Sequence, residues 1–317
     1  MLPVGWHGAL DTVFKGVGVN GMAYDYFYDA QNRRRLKVYP LGPTDEFFYD
    51  MGHQMLVDQG NDSSATPSFY PDDDYIWLAG RPVVLIRGKL DTSWTRQADS
   101  TGDCTRNGEP ALCGFYFPVT DHIGKPVLML DSQRRVAGTG EFDVFGQVNR
   151  VSLDKETPHP YPNNYSGTLA DFTQPKGSSS VAVRMRVLLH QLDAEDNSLD
   201  QLIIKDGDTQ SVLDGPYGGY HKGQLWTAWV EPLNGHLSLS FTSDATNCCP
   251  DGLGGRDCTC PQYPNFPYNG VVMEGYEYQR FQPAAVPFWT PLRFPGQYAD
   301  AETDLFENWN RDRKSVV

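Results

Sequence analysis

At 317 residues the chain can bury a sizeable core as one large domain or two ordinary ones, and two is the expectation. Its formal charge of -14, from 26 Lys+Arg against 40 Asp+Glu, repels phosphate backbones; with no basic face interleaved with aromatics, this argues against nucleic acid as a partner. The 31 Gly, 23 Pro and 13% aromatic residues punctuate short apolar runs, which favours strands and tight turns over packed helices, and no run approaches a membrane-spanning length.

The first residues, "MLPVGWHGALDTVF", carry neither a basic nor an apolar leader segment, so export is expected to be handled elsewhere or by a longer chain of which this is a piece. Two Tyr-Asp dyads follow at a fixed distance, Tyr28-Asp29 and Tyr49-Asp50, 21 residues apart, the spacing of stacked supersecondary units. Within a unit the pattern is strand, turn, strand: "RRLKVY" alternates Leu36 and Val38 against Arg35 and Lys37, and Gly42-Pro43 punctuates before Phe47 and Phe48. A degenerate unit runs from Asp72 to Gly88, and a further one carries Thr120-Asp121 and Phe142-Asp143 at the dyad positions, 22 residues apart. The dyads therefore read as structural, Tyr packing between hairpins and Asp setting the turn that follows; acid–base work needs one converging site, and these are spread along the chain. Asp72-Asp73-Asp74 reads as a solvated charge run that protects a sheet edge.

The blocks "FYDAQNRR", "EFFYDMGHQML", "DDYIWLAGRPVVLI", "FPVTDHIGKPVLMLDSQRRVAGTGEFDVFGQV" and "TPLRFPGQYADAETDLFENWNR" resemble, in order, the core of RHS/YD-repeat proteins over residues 20–150 and 286–311. The resemblance implies a strip of β-hairpins spiralling into a hollow shell, used by bacteria in secreted or surface-displayed toxins and cell-contact proteins. The family continues past "FENWNR" into Tyr-Tyr-Asp-Pro and a self-cleavage motif, whereas this chain reads "DRKSVV", so only a partial shell without a releasing protease or toxin is expected. One hairpin is lengthened by "DTSWTRQADSTGDCTRNGEPALCG", whose Cys104 and Cys113 are placed to clip its tip, worth about 2–3 kcal/mol.

The segment between "FGQVNRVSL" and "FWTPLRFPGQY" does not follow the dyad period. "SVAVRMRVLLHQLD" puts Val181, Val183, Met185, Val187 and Leu189 on one face, and "GHLSLSFTSD" does so with Leu237, Leu239 and Phe241, the pattern of half-buried antiparallel strands in a β-sandwich. "HPYPNNYSG", "LLHQLDAEDNSLDQLIIKDG" and "LSLSFTSD" occur in the order of a CUB domain, which this stretch resembles. The resemblance implies calcium at one end of the sandwich, held by Asp193, Asp200 and Asp244 with Tyr165 bracing the site. Asp193 stands where the family has Glu, Glu195 offers the alternative register, and the family's usual cysteine pairs are missing. Calcium takes several hard oxygens, which separate strands can supply by converging.

Cys248, Cys249, Cys258 and Cys260 form a second cysteine group. Its spacing suits two disulfides stapling a loop better than a four-thiolate zinc site, which favours two-residue spacers, and paired cysteines in polar loops point to an oxidising compartment. The seven His form no His-Glu-x-x-His motif, no Gly-x-Ser-x-Gly elbow occurs, and "DGLGGRD" follows cysteines rather than a strand feeding a helix, so no enzyme is expected. Trp226 and Trp229 in "LWTAWVEP" could stack on sugars, but core packing is the simpler reading.

The combined expectation is a mainly β chain: RHS/YD-type hairpins over 1–152, a CUB-like sandwich insert over 153–283 and a final hairpin block over 284–317. It would be a non-catalytic, adhesive segment of a secreted or cell-surface protein. Its insert would bind a cell-surface protein or glycan with calcium, and other parts of an RHS shell would join the strip. The alternatives are the delivery portion of a polymorphic toxin lacking its effector, and a hydrolase using carboxylates of the insert.

Overall fold

The computed structural model describes residues 13–17, 23–39, 44–61, 70–90, 104, 112–144, 146–195, 198–221, 223–245, 269–300, 305–308 and 311–314. The chain is mainly β, built of several antiparallel sheets, with no helix among these residues. It divides into two units, one holding residues 22–147 and 281–317 and the other 148–280; the sequence reading had set these breaks at 152 and 283.

The first unit carries a ten-stranded meander of β1 (Val13–Val17), β2 (Ala23–Tyr28), β3 (Arg34–Val38), β4 (Thr44–Tyr49), β5 (Met55–Asn61), β6 (Tyr70–Leu78), β7 (Arg81–Leu90), β8 (Gly114–Thr120), β9 (Pro126–Leu130) and β10 (Val136–Thr139), each paired with the next. Four of its connections, set by Asp29, Asp50, Asp121 and Asp131, are the same turn, which Asp143 repeats just after β10. In each, the Asp N–H donates to the carbonyl four residues on, and the residue three on donates back to the Asp carbonyl and has a positive φ: Asn32, His53, Gly124, Arg134 and Gly146. The Asp Oδ1 accepts the N–H of the residue four on, at 3.0 Å from Arg33, 2.8 Å from Gln54, 3.0 Å from Lys125, 2.9 Å from Arg135 and 2.9 Å from Gln147. This is a hairpin turn closed by a left-handed residue, with the Asp side chain replacing backbone partners the turn lacks. The dyad aromatics pack between turns: the Arg33 guanidinium lies over the Tyr49 ring at 5.4 Å and donates to the Asp50 carbonyl at 3.1 Å.

One face of the meander is lined with buried ions. Asp58 and Asp73 stand directly opposite each other on β5 and β6, 0% and 1% exposed, and Arg87 of β7 grips Asp73 with Nε at 2.9 Å and Nη2 at 2.7 Å. The Asp72–Asp74 run thus lies inside a strand paired on both sides, not on a solvated edge, because Arg87 neutralises its inward carboxylate. Lys37, expected opposite an apolar Leu36 face, is likewise buried, between the Tyr24 and Tyr39 rings and against Asp300. The apolar core alongside is thin: Phe47, Met55, Tyr75, Leu85, Tyr116 and Met129, joined by Phe288 and Leu292 from the chain's last block. Trp289 packs so closely on Gly140 that a Cβ there would stand 2.4 Å from its ring.

In the second unit, β11 (Arg150–Glu156), β12 (Ser166–Thr173), β13 (Ala182–Asp193), β14 (Gln201–Asp206), β15 (Val212–Tyr217), β16 (Tyr220–His221), β17 (Leu225–Trp226), β18 (His236–Thr242) and β19 (Gly270–Phe281) form two sheets, ordered β11-β19-β13-β16 with β17 on β13, and β12-β18-β14-β15. Val183, Met185, Val187 and Leu189 of β13 meet Leu202 and Ile204 of β14 and Leu237, Leu239 and Phe241 of β18 in one core, joined by Val271 and Met273 of β19. Each such side chain contributes about 1.5–3 kcal/mol on burial. After the first unit resumes, β20 (Gln297–Asp300), β21 (Leu305–Asn308) and β22 (Arg311–Lys314) make a three-stranded sheet.

At the start of β18, His236 bridges two strands of its sheet. Nε2 meets Asp171 Oδ1 on β12 and Nδ1 meets Asp208 Oδ1 after β14, both at 2.8 Å, while Asn234 Nδ2 holds the other Asp208 oxygen at 2.6 Å. Hydrogen bonds to Asp171 and then Asp208 raise the imidazole pKa above 6.5. A raised folded-state pKa stabilises the fold fully below the unfolded value and loses that stability as pH rises through the folded one. Stability of the sandwich should therefore fall as pH rises above 6.5 by more than in a His236→Gln variant; denaturant melts giving parallel pH profiles for the two proteins would refute this.

Candidate metal centre

The other end of the sandwich, where β13 and β18 finish and β14 begins, gathers carboxylates. Glu195, Asp200 and Asp244 bring ligand atoms within 4.8 Å of one another. Glu195 and Asp200 are buried, at 1% and 0% exposure, and Asp244 is half-buried. Each sits just outside a strand: Asp200 immediately before β14, Asp244 two residues past β18, and Glu195 two past β13, where the Ala194 N–H donates to the Gly219 carbonyl and the Gly219 N–H to the Glu195 carbonyl, fixing the chain's exit.

Tyr161 holds the cluster from inside. Its ring is 1% exposed and meets Phe241 edge-on at 5.0 Å; its hydroxyl donates to Asp200 Oδ2 and accepts the Glu195 N–H at 3.2 Å. Asp200 Oδ1 accepts the Asp244 N–H at 3.0 Å, so one carboxylate ties together the chain ahead of β12, ahead of β14 and just past β18. Burial pushes the Asp200 carboxyl up, and the charge of Asp244 adds to this against the hydrogen bonds from Tyr161 and Asp244. Burial and the Asp200 bond also push the Tyr161 hydroxyl up, so it stays a neutral donor. Three acidic side chains converging in a shielded corner, one of them with its proton affinity raised, form a hard-oxygen donor set suited to a divalent cation such as calcium.

The sequence reading named two of these three acids. Asp193 is not in the cluster: it is the last residue of β13, and its Oδ2 accepts the Asn269 side chain at 2.9 Å and backbone N–H at 3.3 Å. Glu195, two residues past the end of β13, takes the place. Nor does Tyr165 brace the acids. It packs on Phe241 and exchanges backbone and side-chain bonds with Ser243, and Tyr161, four residues earlier in the same "YPNNY" stretch, does the bracing.

Cys104 and Cys113 are joined by a disulfide. Cys248, Cys249, Cys258 and Cys260 lie outside the described residues. Trp226 and Trp229 are packed with arginines: Arg150 and Arg186 lie over Trp226 at 5.0 and 4.4 Å, and Arg184 and Arg186 over Trp229 at 4.4 and 4.7 Å. The order Arg184, Trp229, Arg186, Trp226, Arg150 makes a cation–π ladder that packs both rings. No described helix is long and apolar enough to cross a membrane.

No family model matches the chain, and none of the curated proteins matches it. Among solved structures, the exo-beta-1,3-galactanase of Phanerochaete chrysosporium with beta-1,3-galactotriose is 11% identical at a TM-score of 0.20, over 86% of this chain and 68% of the galactanase. The same enzyme with galactose is 10% identical at 0.19 over the same shares, and the structure of infectious bursal disease virus Gx strain is 8% identical at 0.17, over 86% of this chain and 80% of the viral one. Likeness this slight carries no argument about architecture or activity.

Proposed function

We propose that the chain is a non-catalytic, adhesive segment of a secreted or cell-surface RHS-repeat protein. Its CUB-like sandwich holds calcium and presents that end to a cell-surface protein or glycan. The observation that carries the reading is the convergence of Glu195, Asp200 and Asp244 on one corner braced by Tyr161. These acids would hold the ion and Tyr161 would keep Asp200 aimed at it; bound calcium would supply charge neutralisation and order the chain ends that carry the ligands. The Asp-set turns support the hairpin-strip half of the reading, and the Cys104–Cys113 disulfide supports an oxidising compartment.

A ligand that binds only the folded state adds stability by mass action, about 2.7 kcal/mol at a hundred times its Kd. The sandwich transition of the full chain is therefore expected to move to higher temperature in calcium than in chelator, and Asp200→Asn should erase the difference. Equal midpoints in calcium and chelator for the parent protein would remove calcium from the proposal.

A further inference from the structure

A second buried constellation, in the hairpin unit, is arranged for covalent chemistry. Lys37 on β3 and Asp300 on β20 are each 2% exposed, and Nζ is in direct contact with Asp300 Oδ1 although 263 residues separate them. Aromatic rings enclose the amine, with the Tyr39 centroid at 4.5 Å and the Tyr24 centroid at 5.4 Å. The Tyr26 hydroxyl donates to the other carboxylate oxygen, Oδ2, and Arg34 Nη1 lies 3.7 Å from that same oxygen. A third acid completes the group: Asp45 stands directly opposite Lys37 in the β3–β4 ladder, is 6% exposed, and accepts the Tyr39 hydroxyl at 2.6 Å. Directly opposed residues on one face of a sheet have side chains in contact range.

We propose that Lys37 and Asp300 condense spontaneously to an amide, an internal isopeptide cross-link between the first hairpins and the chain's last block, with Asp45 as the proton carrier. A dry, aromatic-lined site penalises separated charges, so a proton passes from the ammonium to Oδ1 and leaves a neutral amine beside a neutral acid. Nζ attacks Cγ and forms the new C–N bond while its second proton moves to the Asp45 carboxylate. The negative charge gathers on Oδ2, where Tyr26 and Arg34 already point, as donors do in an oxyanion hole. Asp45 returns its proton to the Oδ1 hydroxyl, the C–Oδ1 bond breaks, and one water leaves. Asp45 ends as it began and no oxidant or cofactor is consumed. The nucleophile and the carbonyl are already held together by the fold, which supplies the orientation that such a condensation needs.

The test is the mass of the intact, reduced and denatured full chain after it has folded. A deficit of one water against the sequence mass is expected, with a branched proteolytic peptide joining the segments that hold Lys37 and Asp300. Lys37→Met and Asp300→Ala should restore the full mass. Asp300→Asn should reach the same cross-linked product by losing ammonia instead, an outcome an ion pair cannot imitate. Asp45→Asn should slow closure by about a hundredfold or more, the usual worth of a positioned acid–base group. A parent protein that melts cooperatively yet keeps its full sequence mass and gives no branched peptide overturns the proposal and leaves an ion pair only.

Discussion

Glu277→Ala should lower the stability of the sandwich by about 3–5 kcal/mol, the usual cost of stranding a buried charge. Glu277 sits on β19 between two arginines: Arg150 reaches Oε1 with Nε at 3.2 Å and Nη2 at 2.9 Å, and Arg186 reaches Oε2 with Nε at 3.0 Å and Nη2 at 2.8 Å. Those guanidiniums are also rungs of the tryptophan ladder, so the carboxylate sets the spacing of the two that enclose Trp226. Burial alone would raise its pKa, but the charges of Arg186 and Arg150 outweigh that and hold it at about 2. A depressed folded-state pKa gives stability that is present above the unfolded value of 4.5 and is lost as pH falls through about 2. The stability gap between parent and Glu277→Gln, read from urea melts, should therefore shrink as pH is taken from about 5 towards 3. A gap that stays constant over that range would mean the glutamate serves as a neutral hydrogen-bond acceptor.

In the hairpin unit the comparable expected loss follows Arg87→Met, again about 3–5 kcal/mol. The methionine fills much of the same volume, and it leaves Asp73 facing Asp58 across the β5–β6 ladder, two buried carboxylates, with the guanidinium that gripped Asp73 removed. Tyr298 still donates to Asp58 but cannot neutralise either acid. Arg87 also lies over Phe288 at 4.5 Å, and Phe288 is tilted against Tyr116 with centroids 4.1 Å apart, so the last block loses part of its seat. Chemical denaturation of the hairpin transition at neutral pH decides it. An Arg87→Met protein as stable as its parent at neutral pH would show that the inward ions contribute nothing.

What the sequence made legible was what local chemistry controls. The Tyr-Asp spacing located hairpins because an Asp that caps its own turn acts within five residues, and the β13 and β18 alternation located the sandwich because period two survives in half-buried strands. Asp131 sets the same turn but follows Leu130 rather than an aromatic, so a search for dyads passes over it; the common feature is Asp with a basic or amide residue four positions on. Lys37 and Asp73 read as solvent-facing in the sequence because their burial depends on partners supplied by other strands, Asp300 from 263 residues away among them. The shift from Asp193 to Glu195 has the same origin: which acid turns to the cluster depends on where β13 leaves its sheet, a tertiary matter that residue spacing does not encode.

The far edge of the meander has a consequence for biosynthesis. Val136 and Ala137 of β10 offer backbone groups that Gln282 and Phe288 satisfy, with Gln282 N–H to the Val136 carbonyl at 2.8 Å and Phe288 N–H to the Ala137 carbonyl at 2.9 Å. Those partners leave the ribosome only after the entire sandwich has been translated, a delay of about 7–30 s at ordinary elongation rates. Throughout that interval a nascent β ribbon with a ready pairing edge is exposed to neighbouring chains. Synonymous codons or pauses within residues 148–280 would therefore change the yield of intact protein without altering a single side chain.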